Sequence, residues 1–313
     1  MRRALFGLAF AALATWSTAA SAWWDEGHMQ IALMAYNKLT DNARARVDAL
    51  LQMNDDYPDW IYGVAAEDQG KAAVMRAAVW ADDIKTKPGY IDDGNSGSVA
   101  GAGDNIGYSD MRKHKYWHFM DIGFSTDGTP VKPADPVNAL TQIRLFTATL
   151  PANSGATDDL RSYDLAWLLH LVGDVHQPLH ATARFSAAHP DGDQGGNLVT
   201  VKPAKGDELK LHFYWDGMFG GYVTVKGAIT DLKDSGLANA AVDPAKAAEE
   251  DPELWLSESA ETAKTFAYAE PVMSGAGTVE LTRAYETAAR DTARSQAVLA
   301  AQRLANLLNK AFP

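Results

Sequence analysis

The sequence contains no cysteine, so disulfide bonds contribute nothing to the stability of the protein. It also has fewer basic than acidic residues, 28 against 40, which leaves a formal net charge of −12. That balance argues against a protein that holds DNA or RNA on a broad basic surface, since such proteins gain affinity by neutralising phosphates. A polyanionic substrate is still possible, because bound metal ions supply positive charge locally.

Long hydrophobic runs are absent beyond the first 22 residues. Arg2 and Arg3 precede an apolar run over residues 4–15, and Ala20-Ser-Ala22 follows as a small-residue cleavage site. This order is typical of a secretory signal peptide. We therefore expect residues 1–22 to be removed on export, with Trp23 as the first residue of a soluble protein that is periplasmic or secreted.

Residues 23–313 show mainly helical periodicity, which occurs over residues 28–38, 66–83, 136–150, 162–173, 252–268 and 278–310. Asp135-Pro136 and Asp251-Pro252 each place a capping residue before a first-turn proline, and so predict two helix starts. No internal repeat or linker divides this stretch. The sequence predicts one all-α domain over residues 23–313.

One β signal interrupts the helical pattern. Residues 198–201 and 208–211 alternate around a turn at Lys205-Gly206, which predicts a small β-hairpin. Residues 85–110 are rich in glycine, aspartate and serine, and we expect a long surface loop there.

Residues 167–180 hold the densest set of histidines in the chain. His170 and Asp174 are four residues apart, so on a helix they point from the same face. Pro178 ends that helix and could turn His180 back toward the same cavity.

Further candidates for the same cluster lie elsewhere in the sequence. His212 and Asp216 repeat the four-residue spacing, while Asp82 and His118 each lie beside tryptophan or phenylalanine. His28 lies five residues beyond the predicted new N-terminus. Imidazole and carboxylate groups are the ligands that zinc takes when thiolates are absent.

Each of these elements alone has a simpler explanation. A lone HxxxD pair is more often a helix-surface ion pair, Asp82 could be an exposed carboxylate, and His28 could cap or pack. Burying the whole set among apolar neighbours, however, is unfavourable unless something binds it. The combination therefore predicts a metal centre, whereas we expect His114, His176 and His189 to be solvated.

The ordered set of motifs resembles the S1/P1 nuclease family, the trinuclear-zinc nucleases of fungi, plants and bacteria that prefer single strands. The resemblance runs from Trp23 to the final helix. Its markers are Trp23 with Gly27-His28, Trp80-Ala-Asp82, Trp117-His118-Phe119, residues 170–180, Gly195-Gly-Asn197 and residues 212–216. The lack of cysteine and of Asn-x-Ser/Thr sequons departs from the fungal and plant members and fits a bacterial one.

The resemblance implies a centre of three zinc ions with nine ligand residues. The sets are Asp82, His118, His170 and Asp174 for the first ion; the backbone amine and carbonyl of Trp23, with His28 and a bridging Asp174, for the second; and His180, His212 and Asp216 for the third. Since the amine of Trp23 is free only after cleavage, the precursor would lack one zinc.

The resemblance also implies an activity and a substrate. Zinc would activate water for in-line attack on phosphorus, with Asp82 orienting or deprotonating that water. The product ends would carry 5′-phosphates, and a 3′-nucleotidase activity is left open. Phe119 would stack on a base, with Asp121 and Asn197 bonding its edge, which requires an unpaired base in single-stranded DNA or RNA.

Two other functions fit part of the pattern. A zinc-dependent phospholipase C shares the trinuclear site, but such enzymes tend to have glutamate at the last ligand, where this chain has Asp216, and Gly195-Gly-Asn197 also favours the nuclease. A non-catalytic exported zinc carrier would usually have His-rich or acid-rich tracts, and the sequence has none.

Overall fold

Helices dominate the computed structural model, which describes residues 23–313; the expected signal peptide, residues 1–22, lies outside the described residues. The eleven α-helices in the described part of the chain are α1 (Asp25–Tyr36), α2 (Asp41–Leu51), α3 (Tyr57–Trp60), α4 (Gln69–Asp83), α5 (Ala139–Thr149), α6 (Asp158–Asp174), α7 (Leu211–Asp216), α8 (Val225–Asp234), α9 (Pro244–Ala247), α10 (Pro252–Thr262) and α11 (Arg283–Ala311). The predicted all-α fold is confirmed. Four of these helices, α2, α8 and the short α3 and α9, were not predicted from the sequence.

The start of α5 differs from the prediction at Asp135-Pro136. The helix begins after Asn138, whose side chain accepts hydrogen bonds from first-turn N–H groups, while Oγ1 of Thr141 accepts one from the N–H of Asn138. Asp135 instead accepts hydrogen bonds from residues 96–98 of the long loop. A reciprocal capping box satisfies more backbone donors than a lone aspartate, which explains the later start.

The start of α10 is as predicted, with the Asp251 side chain accepting from the N–H of Glu253 and proline in the first turn. The helix predicted over residues 252–268 continues after α10 as a π-helical turn, Ala263–Ala267. The predicted helix over residues 278–310 is wrong at its first end, because Thr278–Glu280 forms a strand before α11 begins.

The described residues also form five short strands: β1 (Ile122–Ser125), β2 (Thr182–Phe185), β3 (Thr200–Lys202), β4 (Leu209–Lys210) and β5 (Thr278–Glu280). The predicted hairpin is present as β3 and β4, antiparallel, with Val201 opposite Leu209. β5 pairs with the other side of β3 in parallel, with Val279 opposite Val201. β1 and β2 form a separate parallel pair that the sequence analysis missed.

α6 lies at the centre of the fold, since each residue from Arg161 to Asp174 is buried. Trp167 on α6 meets Trp80 of α4 edge to face, with ring centroids 6.0 Å apart. Trp117, just before β1, contacts Trp167 at 4.9 Å. These aromatic contacts bring the polar ends of α4 and α6 and the start of β1 to one place inside the molecule.

Residues 85–110 form a long, mostly irregular segment, with one short 3₁₀ turn at Gly107–Ser109. Within residues 23–313, no helix combines the length and the apolar character needed to cross a bilayer.

Candidate metal centre

A first group of four side chains converges between α4, α6 and the segment before β1. Nδ1 of His118 lies 2.9 Å from Oδ2 of Asp174, and Nε2 of His170 lies 3.2 Å from the same oxygen. Oδ1 of Asp82 is 3.6 Å from Nε2 of His170. Residues 23–313 contain three groups of His/Asp residues that could hold a metal ion, and one of them is His118 with His170 and Asp174.

Asp174 also faces His28 on α1. Its Oδ1 lies 3.2 Å from Nε2 of His28, and both side chains are fully buried. The two oxygens of Asp174 therefore point to two different sets of imidazoles, the arrangement that a bridging carboxylate needs. Gly173 makes this approach possible, because a Cβ there would lie 2.8 Å from Nδ1 of His28.

Trp23, the predicted N-terminal ligand, is buried and lies five residues before His28. It packs against Gly27, where an added Cβ would come within 2.6 Å of the Trp23 Cβ. Its ring meets Phe219 edge to face at 5.0 Å. Trp23 is thus held beside the centre, and its role as a backbone ligand stays a prediction.

The third group joins α7 to the turn after α6. Nε2 of His180 lies 3.0 Å from Nε2 of His212, and Nε2 of His212 lies 3.7 Å from Oδ2 of Asp216. Gln177 donates a hydrogen bond of 2.7 Å to the other oxygen of Asp216. Asp216 is on the same face of α7 as His212, as its four-residue spacing predicts.

Backbone carbonyls fix the orientation of three imidazoles. Nδ1 of His170 lies 2.7 Å from the carbonyl of Ala78, Nδ1 of His180 lies 2.8 Å from that of His118, and Nδ1 of His212 lies 2.8 Å from that of Gly195. Since a carbonyl only accepts, each Nδ1 donates, and in a neutral ring each Nε2 then carries a lone pair. Such outer hydrogen bonds are typical of histidines that bind metal.

The residues present fit a bound metal ion. The lone pairs of His180 and His212 face each other at 3.0 Å, which is unfavourable unless a cation lies between them. Burial lowers the pKa of His180 to about 3 and that of His212 to about 4, so neither ring is protonated at neutral pH. Buried polar atoms without a hydrogen-bond partner among the described residues include Nε2 of His28, Oδ1 of Asp174 and Oδ2 of Asp216. Imidazole nitrogens with carboxylate oxygens match the donors that zinc prefers.

Lys85 is a site residue that the sequence analysis missed. Its Nζ lies 2.6 Å from Oδ1 of Asp82, and both side chains are nearly buried. Burial raises the pKa of Asp82, but the Lys85 ammonium and nearby imidazoles oppose that effect and hold it well below its usual range. The three-residue spacing from Asp82 to Lys85 at the end of α4 was the available signal.

A cavity of about 740 Å³ adjoins the metal centre, and the three predicted base-binding residues all line it. Phe119, Asp121 and Asn197 share its wall with His118 and His180. Burial, reinforced by nearby carboxylates, raises the pKa of Asp121 to about 6. The structure therefore places an aromatic face and two polar groups beside the metal ligands, and their contacts with a base stay a prediction.

The prediction of solvated histidines is wrong for two of the three residues. His114 is buried, pairs with two aspartates and stacks on Trp117 at 3.6 Å. His176 is also buried: Nδ1 lies 2.7 Å from the carbonyl of Val172, and Arg303 lies 3.0 Å from Nε2. Partners within the protein therefore satisfy both rings, while His189 is partly exposed.

Known proteins share parts of this sequence. A segment of 77 residues is 35% identical to Endonuclease 4 of Arabidopsis thaliana, covering 23% of this chain and 23% of that protein. The chain therefore matches less than a quarter of the length of this curated relative. The family model described as S1/P1 nuclease matches residues 23–313, the whole part of the chain that the structure describes. The chain belongs to the S1/P1 nuclease family.

Proposed function

We propose that this protein is a zinc-dependent endonuclease that cleaves single-stranded DNA and RNA and leaves 5′-phosphorylated ends. The observation that carries the proposal is the position of the His/Asp groups, which lie against a cavity that also holds Phe119, Asp121 and Asn197. Membership of the S1/P1 nuclease family supports a nuclease.

The nine predicted ligand residues would hold three zinc ions in the sets given above. When bound, these ions would neutralise phosphate charge and increase the acidity of water. On a chain with a net charge of −12, this local positive charge would favour the binding of a polyanionic substrate.

The protein side chains would orient the reacting groups. Asp82 would orient or deprotonate the attacking water. Lys85, whose Nζ lies 2.6 Å from Oδ1 of Asp82, would keep the carboxylate ionised and fixed. Phe119 would stack on an unpaired base next to the cleaved bond, and Asp121 and Asn197 would bond its edge. A paired base could not enter such a pocket, because its face and edge are already in use.

Removal of residues 1–22 on export would complete the centre by freeing the amine of Trp23. We expect the mature protein to bind three zinc ions and a variant that keeps Ala22 before Trp23 to bind two, with much lower activity. Native mass spectrometry would count the ions. Equal zinc content in the two proteins would contradict a ligand role for the Trp23 amine.

The function itself is tested with mature, zinc-loaded protein on single-stranded DNA, RNA, duplex DNA and lecithin. We expect 5′-phosphorylated products from the single strands, little from the duplex, and no phosphocholine. An Asp82→Asn variant should lose activity, with zinc content measured alongside. Full activity of that variant would overturn the role of Asp82, and release of phosphocholine alone would identify a phospholipase.

The same preparation also tests a carrier function. We expect His118→Ala to lower the zinc content. If zinc content stayed unchanged and the unaltered protein hydrolysed no phosphodiester, a non-catalytic carrier would explain the data better.

A further inference from the structure

A second groove, of about 780 Å³, lies on a different face of α7 from the metal ligands. Trp24, the β3–β4 hairpin, α7 and the first two turns of α11 form its walls. We call it the α7 groove. Neither the metal centre nor the base pocket uses the residues that line it.

An aromatic pair forms one wall of the α7 groove. The rings of Trp24 and Phe213 lie 4.8 Å apart and are tilted by 59°. Phe213 leaves 39% of its surface exposed. Gly217 allows this packing, since a Cβ there would lie 2.9 Å from the Trp24 ring. Exposed aromatic faces of this kind are the stacking platforms that single-strand-binding proteins use.

Basic side chains form the facing wall. Arg283 and Arg290 are two turns apart on α11, both are exposed, and Lys205 adds a third charge from the hairpin. In residues 23–313, no ion pair joins any of the three to a carboxylate. The carboxylate lining the groove, Glu286, already accepts a hydrogen bond from the N–H of Ala204.

This combination is unusual on so acidic a chain. Exposed cations clustered beside aromatic rings complement a polymer that carries phosphates and unpaired bases. An acidic or purely apolar partner would match only one of the two walls.

One short helix, α7, separates the α7 groove from the metal centre. His212 and Asp216 contribute to the centre, whereas the next residues along the chain, Phe213 and Gly217, line the groove. The N–H of Trp24 also donates a hydrogen bond of 3.0 Å to the carbonyl of Asp216. The groove and the centre are therefore the width of one helix apart.

We propose that the α7 groove binds a further segment of the single strand whose phosphodiester is cleaved at the metal centre. Bases would stack on Phe213 and Trp24, and Arg283 and Arg290 would contact phosphates. This inference rests on the proposed nuclease function, and it adds an accessory site that favours long strands over short ones.

The test compares two double variants of the mature, zinc-loaded protein. One is Arg283→Gln with Arg290→Gln; its matched control is Lys226→Gln with Lys233→Gln, which removes two exposed charges from α8, outside the groove. For the groove variant we expect the Kd of a fluorescent single-stranded phosphorothioate 20-mer to rise about tenfold, and the salt dependence to fall by about 1.4 in log–log slope. KM for a 20-mer should rise in parallel, while kcat and KM for a dinucleotide stay unchanged.

A third variant tests the stacking wall. Phe213→Leu keeps the apolar volume but removes the aromatic face, and we expect about a tenfold rise in the Kd of the 20-mer. Its zinc content must be measured, because Phe213 adjoins His212. Equal weakening by the arginine and lysine pairs would overturn the proposal, as would unchanged 20-mer binding in the Phe213→Leu variant with full zinc.

Failure of this inference can be told apart from failure of the proposed function. If the protein hydrolyses no nucleic acid, the proposed function fails, and binding of the phosphorothioate strand still reports on the α7 groove. If hydrolysis is normal but both groove variants bind the 20-mer like the unaltered protein, only the accessory site is wrong.

Discussion

Nζ of Lys85 lies 2.6 Å from Oδ1 of Asp82, the proposed catalytic carboxylate. Lys85 lines the substrate cavity together with His118. A fixed ammonium there can stabilise negative charge that develops on phosphate oxygens, and it needs no reorganisation to do so.

We expect Lys85→Met to lower kcat about 100-fold with little change in zinc content, because the variant loses a preorganised positive charge. Lys85→Arg should recover part of the rate. Steady-state kinetics and metal analysis measure the two effects. Lys87→Met is the matched control, since Lys87 pairs with Asp56 outside the cavity. Full kcat in Lys85→Met would contradict the role.

Asp121 should make base preference depend on pH. Burial raises its pKa to about 6, so the carboxyl is neutral below that pH and purely an acceptor above it. Guanine presents adjacent N–H donors, which an ionised carboxylate accepts. The preference of the enzyme for guanine over adenine should therefore rise about tenfold between pH 5 and pH 7.

The measurement is the ratio of kcat/KM for the two bases at each pH, in which changes in metal loading cancel. Asp121→Asn has no titrating group at this position, so its ratio should be flat. A ratio that depends on pH equally in both proteins would rule out Asp121 as the cause.

At the level of elements, Asn138 and Asp135 lie three residues apart in the chain but stabilise different segments. Asn138 caps α5, and Asp135 anchors the long loop through residues 96–98. We expect Asn138→Ala to lower the free energy of unfolding by about 1 kcal/mol, since first-turn N–H groups lose their acceptor.

Asp135→Ala should leave α5 intact and free the loop instead. Limited proteolysis within residues 85–110 should become faster, with a smaller change in urea unfolding than Asn138→Ala produces. Faster proteolysis in Asn138→Ala alone would show that the loop is held by the helix cap.

For the whole molecule, metal ions bound at the centre would supply stability that many other proteins obtain from disulfides. The sequence has no cysteine, and buried His/Asp groups from α1, α4, α6 and α7 meet at the centre. Without a cation these groups retain facing lone pairs and unpaired carboxylate oxygens, which destabilise the folded state.

We expect chelation to lower the Tm by more than about 10 °C, because each site filled at 1,000 times its Kd adds about 4 kcal/mol. Thermal melts with zinc and with chelator measure the difference. His212→Gln should show a smaller response, and His189→Gln, outside the three groups, should respond like the unaltered protein. An identical Tm with and without chelator would contradict a stabilising metal centre.

Much of the fold and the candidate site follows from local sequence patterns. The spacing of His170 and Asp174, and of His212 and Asp216, indicates shared helical faces without knowledge of the fold. The hairpin and the start of α10 also follow from local turn and capping chemistry. The sequence by itself therefore determined the helical class and the donor types of the centre.

Only the tertiary structure decided which groups meet. Asp174 faces His28 on one side and His118 on the other because α1 and the segment before β1 both pack against α6, and no local rule encodes that packing. Packing likewise buries His114 and His176 against protein partners. The physical reason is one of range: helix period and capping act over a few residues, whereas burial and the joining of distant donors depend on contacts across the whole core.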